Sequence, residues 1–273
     1  GTSTAGDVFA SAFGNQAFAS AVNSTAIGAL SSATADLSSA VGFQSIASGL
    51  FSNAFGSNAA ATVDGANAFG SDTVAFGIGS TAVGDLAVAL ADDGTAVGAS
   101  SLAIGIGATA IGTNSMAGDQ GATAVGNFAN VAEEFGVAIG FNAQSDGTSA
   151  IAVGDSASAT GVGTIAIGGP VVDAMGAVTS VTTAVATNSV AIGTGAVTDF
   201  GTTPSGAASL GTSVAVGNLA SATNEDAVAI GDQANASGFH STAIGGESDA
   251  TGTGAQAFGW QANSSAQFAT SVG

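Results

Sequence analysis

The chain of 273 residues has no Lys, Arg, Cys or Tyr, and only one His and two Pro. With no cation to offset 19 Asp and Glu, its formal net charge is −19. Nucleic acid is excluded as a partner, because phosphate contacts need Lys or Arg. The same charge disfavours anionic membrane surfaces. No apolar run approaches the roughly 18 residues of a spanning helix, so this segment does not insert into a membrane. Absence of Lys and Arg leaves no trypsin-type cleavage site, which suits an extracellular existence; absence of Cys fits exported bacterial proteins and many cytosolic ones alike. With no Cys, Lys or Tyr to serve as nucleophile or acid, catalysis has little to work with, and the chain reads as a non-enzyme. It begins at Gly1 with no initiator Met and no secretory leader, the expectation being a processed or excised segment.

Charged residues make up only 7% of the chain, against 46% hydrophobic, so this is not the composition of a disordered tail. Ala supplies much of that apolar content, and a core of Ala and Ser is thin. The 43 Gly are ordered. Gly recurs every fourteen residues from Gly14 to Gly168, then at Gly193 and Gly217, and again every fourteen to Gly273. The two long intervals, 25 and 24 residues, are single coils with insertions of 11 and 10. Such a period marks a solenoid. The expected architecture is all-β, a parallel β-solenoid of about 18 coils in one continuous structural domain. Regular coils would fill 1–168, two interrupted coils 169–217, and regular coils 218–273.

Each corner Gly follows Ala and then Val, Ile or Phe, as in Ala82-Val83-Gly84 and Ala138-Ile139-Gly140, with Ser271 before Gly273 the one break in the Ala column. Half a coil later Gly recurs, as at Gly49, Gly77 and Gly105, so each coil has two corners and two short strands. Gly there is read as the residue able to take positive φ. A helix fails, since repeated Gly would cost roughly 1 kcal/mol each. Numbering the corner Gly as position 14, alternation along a strand turns the small residues at positions 3, 5, 10 and 12 inward. Position 13 has the opposite parity and points outward. That column is Phe13, Ile27, Val41, Phe55, Phe69, Val83, Val97, Ile111, Val125, Ile139, Val153, Ile167, Ile192, Val216, Ile230, Ile244 and Phe258, with Val272 last. At about 4.8 Å per coil it would run roughly 85 Å. Monomers seldom tolerate such a stripe, so it is expected to be an oligomer interface between copies of the chain. The alternative is that the corner turns position 13 into the core.

Acidic residues collect at positions 7 to 9. Asp119, Glu133 and Glu134, with Asp146 beside them, form the densest run. Stacked carboxylates repel unless a cation intervenes, and calcium is the candidate ion at these four; the other reading is a solvated acidic edge, with no cofactor. Position 11 carries Thr81, Thr95, Thr109 and Thr123 in consecutive coils, either ordinary strand formers or a flat ladder suited to ice. The two insertions hold both prolines, and Pro170, Val171, Asp199, Phe200 and Pro204 are the candidate partner-contacting loops. His240 reads as a solvated turn residue.

These coils resemble the YadA-like head repeats of trimeric autotransporter adhesins. Asn188-Ser189-Val190-Ala191-Ile192-Gly193 and Thr212-Ser213-Val214-Ala215-Val216-Gly217 carry the resemblance, which covers essentially the whole chain. It implies a left-handed parallel β-roll, a homotrimer packed through the apolar column, and a role at the bacterial cell surface in attachment or autoaggregation. The partners implied are other copies of the chain and an extracellular surface or matrix. Neck, heptad stalk and membrane anchor are lacking from the sequence, and the mixed charge expected of a matrix-binding head is missing. Coils that open at position 1 and close at position 14 suggest stacking of chains head to tail into a filament. A ligand- or ice-binding module using the loops or the Thr ladder is the alternative function.

Overall fold

The computed structural model describes residues 1–199 and 211–273 and falls into two compact units, Gly1–Ala129 and Asn130–Gly273. Both are parallel β-solenoids, and no helix occurs among the described residues. In the first unit each coil contributes a two-residue strand at positions 4–5, such as Val74–Ala75, and a three-residue strand at positions 11–13, such as Thr81–Val83. Nine such coils stack in exact fourteen-residue register: Val74 pairs with Val88, and Thr81, Ala82 and Val83 pair with Thr95, Ala96 and Val97.

The second unit repeats the arrangement through nine coils and accommodates the insertions without losing register. Ile165 pairs with Val190 across the first insertion, and Val190 with Val214 across the second. The first insertion folds on itself as an antiparallel hairpin, Val171–Val172 against Val178–Ser180. Its turn is tied by Asp173, whose carboxylate accepts from the backbone N–H of Met175 and Ala177, both at 2.9 Å.

The core of both units is a set of alanine columns. Ala82, Ala96 and Ala110 in the first, and Ala138, Ala152 and Ala166 in the second, are fully buried at position 12. Position 5 is filled by Ala75, Ala89 and Ala103 in the first unit and by Ala159, Ala222 and Ala236 in the second. Buried hydroxyls at positions 3 and 10 turn back on their own corners. Ser38 donates to the Ala35 carbonyl at 2.6 Å, and Ser31 to that of Gly28 at 2.9 Å. These hydroxyls are satisfied locally and line the interior at little cost, whereas Ser213 and Ser241, also at position 10, have no hydrogen-bond partner among the described residues. The largest buried side chain, Val131, occupies a position-5 site facing Gly136. A Cβ at Gly136 would lie 2.6 Å from Val131 Cγ1, so one residue has grown where its neighbour shrank.

The corners close through turns in which position 3 donates to position 14 and position 10 to position 7, as in Ser31 to Gly28 and Ser38 to Ala35, at 3.3 and 3.2 Å. Such turns need positive φ at their third residue. Here the structure corrects the sequence reading. Gly49, Gly77 and Gly105 do not carry the positive φ; the residues two positions later do, such as Phe51, Gly79 and Gly107. Gly49 is required instead by approach, since a Cβ there would meet the Val63 carbonyl at 1.9 Å. The position-14 column needs Gly on both grounds: Gly98 has φ +134°, and its missing Cβ would stand 2.5 Å from the Gly112 oxygen.

Candidate interaction surface

Positions 11 and 13 share the outer face of the longer strand. In the first unit, parallel register stacks Asn67-Ala68-Phe69 on Thr81-Ala82-Val83 and so on, coil upon coil. Position 13 is outward in every described coil of both units. Ile111, Ile139 and Ile167 are 38–40% exposed while the alanine before each is fully buried. Val41, Val97, Val125, Val153, Val216 and Phe258 are somewhat more covered, and the two ends of the column, Phe13 and Val272, are the most open. Phe55 and Phe69 stack with ring centroids 5.3 Å apart and planes 13° from parallel. Position 13 therefore does not turn into the core.

Position 11 differs between the units. Thr81, Thr95, Thr109 and Thr123 form an in-register, half-buried ladder in the first. In the second, Val137, Ile151, Ile165, Val190, Val214 and Val228 take that column before Thr242, Gln256 and Thr270 follow, so from Val137 to Val228 the face carries two adjacent apolar rows. A one-residue offset would send these rows inward and the alanines out, so the fourteen-residue corner spacing fixes which face is apolar.

The carboxylates do several jobs. At position 8, Asp36, Asp64 and Asp92 accept from the backbone N–H of Val22, Leu50 and Ile78 one coil earlier, at 3.0, 2.9 and 2.8 Å. Side-chain amides bridge coils to other acids: Asn58 donates to Asp72, Asn218 to Asp232 and Asn235 to Asp249, at 2.7–2.8 Å. Without Lys or Arg, amides take the part of neutral partners. Asp232 receives from Asn218 and from Gln233, and these bonds hold its carboxyl below the usual carboxylate range.

Of the residues assigned to calcium, Asp119 caps the N–H of Gln120 at 2.7 Å in the first unit, while Glu133, Glu134 and Asp146 lie at the exposed corner of the second. Among the described residues, one group of three has ligand atoms all within 4.8 Å of one another: Glu225, Asp226 and His240. Sequence reading treated His240 as an isolated turn residue, although Asp226 and His240 both occupy position 9 of successive coils, which was the available signal.

Of the candidate loop residues, Pro170 and Val171 sit half-buried at the base of the hairpin. The hairpin lies against a corner of its own unit: a Cβ at Gly195 would meet Val171 Cγ2 at 2.5 Å and Leu219 Cδ2 at 3.0 Å. Asp199 is exposed and its N–H donates to Ala222 at 3.2 Å. Phe200 and Pro204 lie outside the described residues.

Small residues within, register-locked columns without, and corners that only Gly can occupy define a parallel β-solenoid repeat protein. Its repeats match the YadA head domain repeat (2 copies) at residues 8–31, 33–59, 77–101, 96–118, 103–129, 119–143, 145–169, 182–199, 211–234, 222–248 and 236–262. These matches span well over half of the chain, which belongs to the YadA head repeat family. Among solved structures, the collagen-binding domain of Yersinia adhesin YadA is similar at 23% identity. That match covers 66% of this chain and 65% of that one, with a TM-score of 0.27. No curated protein matches.

Proposed function

We propose that the chain is the adhesive element of a bacterial surface fibre, self-associating as a homotrimer through the position-13 column and attaching to an extracellular surface or matrix. The observation that carries this reading is the uninterrupted outward column within each unit, doubled at position 11 from Val137 to Val228 in the second. Unpartnered apolar rows of this length are rare on monomers, and identical rows on identical chains pair under rotational symmetry. Every chain is strongly acidic, so association must rest on apolar burial. Membership of the head-repeat family supports the surface location and the non-enzymatic role. Collagen is what the YadA domain is named for, and it is the first matrix protein to test here.

Sedimentation velocity of the whole chain tests the association. The expected result is a trimer that weakens more than tenfold when Ile139 and Ile167 are both replaced by Asp. Each change removes about 1.5 kcal/mol of apolar burial per chain and adds a charge. Both sites are outward, so circular dichroism of the variant should be unchanged. A wild-type chain that sediments as a monomer at 100 micromolar (a limit of roughly 5.5 kcal/mol on each pairwise association step) refutes the reading.

A further inference from the structure

From the meeting of Glu225, Asp226 and His240 across two successive coils of the second unit, we infer a binding site for a divalent transition-metal ion, with zinc as the fitting ion. The chain's only imidazole lies with its Nδ1 3.7 Å from Asp226 Oδ2, and one ligand atom from each of the three residues falls within 4.8 Å of the others. Tetrahedral zinc with bonds near 2.0–2.1 Å sets its ligand atoms about 3.4 Å apart, so modest side-chain rotation closes the set. One imidazole nitrogen with two carboxylates is a donor mixture that suits zinc better than calcium or magnesium, which take oxygen alone.

The surroundings hold the three groups in place. The backbone N–H of His240 donates to the Glu225 carbonyl at 2.9 Å, so the ladder fixes one coil against the next at this point. Phe239 lies against the imidazole, ring centroids 3.9 Å apart, which limits its rotation. Thr212, at position 9 one coil earlier, donates its hydroxyl to Asp226 Oδ1 and leaves Oδ2 for His240. An outer hydrogen bond of this kind orients a ligating carboxylate. The Glu225 carboxylate has no hydrogen-bond partner among the described residues, and the backbone N–H of Glu225 donates to Asn224 Oδ1 at 3.0 Å. In this it differs from Asp36, Asp64 and Asp92, whose oxygens are occupied by backbone N–H groups. Asp226 and His240 are each about half exposed (49%), so solvent completes the coordination and the ion enters freely. The ion would join two coils directly after the second insertion, where the uninterrupted repeat resumes.

A tag-free chain at pH 7.5 provides the test. Its single histidine gives one pair of imidazole proton resonances, read by NMR during zinc titration, with calorimetry for stoichiometry. The expected result is saturable movement of those resonances at one zinc per chain. His240→Asn, which keeps a residue tolerant of the left-handed backbone, should abolish the saturable phase, and Thr212→Val should weaken it about tenfold. Calcium should leave the imidazole resonances in place. Three results would overturn the site: an imidazole that titrates with pH but ignores millimolar zinc, which makes the cluster an ion pair only; zinc uptake unchanged in a folded His240→Asn chain, which makes it diffuse binding to the acidic surface; and binding unaffected by Asp226→Asn.

Discussion

Replacing Gly98 by Ala, with Gly107→Ala as its partner, separates the two reasons for glycine at a corner. At Gly98 the backbone has φ +134°, a region open essentially to Gly alone and worth about 1–3 kcal/mol for any other residue. The added Cβ would also stand 2.5 Å from the Gly112 oxygen and 2.6 Å from its carbon. Coils about 4.8 Å apart leave that carbonyl nowhere to go. It can retreat only by stretching the neighbouring bond from the Gly112 N–H to the Val97 carbonyl, 2.8 Å long. The combined cost should be about 3 kcal/mol or more. At Gly107 φ is +65° and a Cβ meets nothing within 4 Å. There the left-handed penalty of about 1–2 kcal/mol is partly offset by a stiffer unfolded chain, leaving about 1 kcal/mol. In a solenoid each coil touches only its neighbours, so the loss is local and global melting reports it poorly. Native-state hydrogen exchange at the Gly112 amide is the sharper assay. Gly98→Ala should lower its protection on the order of a hundredfold, and Gly107→Ala by less than about tenfold. Equal losses in the two variants, or none at Gly98→Ala, would refute the argument from close approach.

Three further outcomes are expected. Gly136→Ala should cost about 1–3 kcal/mol by overpacking against Val131, and Val131→Ala should restore most of it, a coupling measurable by a double-mutant cycle in urea. Asn218→Ala should raise the Asp232 pKa toward its ordinary 3.8, followed by carboxyl NMR. Because the folded value is the lower one, whatever stability Asp232 contributes is present above 3.8 and lost as pH falls through the folded value; the variant should lose less on acidification. Asp64→Ala frees the Leu50 N–H that its carboxylate now caps at 2.9 Å, and should speed exchange of that amide severalfold while leaving Phe51 and Ala61 unaffected.

Most of the coil could be read from the sequence because its period is rigid. Once Gly98 and Gly112 mark the same corner, parity alone turns Ala110 inward and Ile111 outward, and both are found so. The left-handed residues were harder to see. Positions 2 and 9 are filled by Leu30, Leu37, Phe51, Phe128 and other residues that announce no turn, yet 27 non-glycine residues among those described have positive φ, Thr212 being the one of these that is β-branched. What they share is an unbranched Cβ, a weak signal, whereas the glycines that were visible at Gly49 and Gly77 answer a steric demand. The acidic edge was legible as a ladder but not in its purpose. That Asp36, Asp64 and Asp92 each cap the previous coil depends on where the N–H groups of Val22, Leu50 and Ile78 point. His240 seemed solitary because its partners lie fourteen and fifteen residues back, adjacent only when the chain is wound.

The hairpin at Val171–Ser180 has a consequence for how such a chain changes over generations. Because Ile165 still meets Val190 across it, extra sequence can be spliced in at a corner without rewriting the rungs on either side. Whole rungs are equally interchangeable, since each offers its neighbours the same edge. Reach, at about 4.8 Å per duplicated rung, and surface decoration can therefore be adjusted separately, like adding rungs to a ladder or hanging something from its side rail.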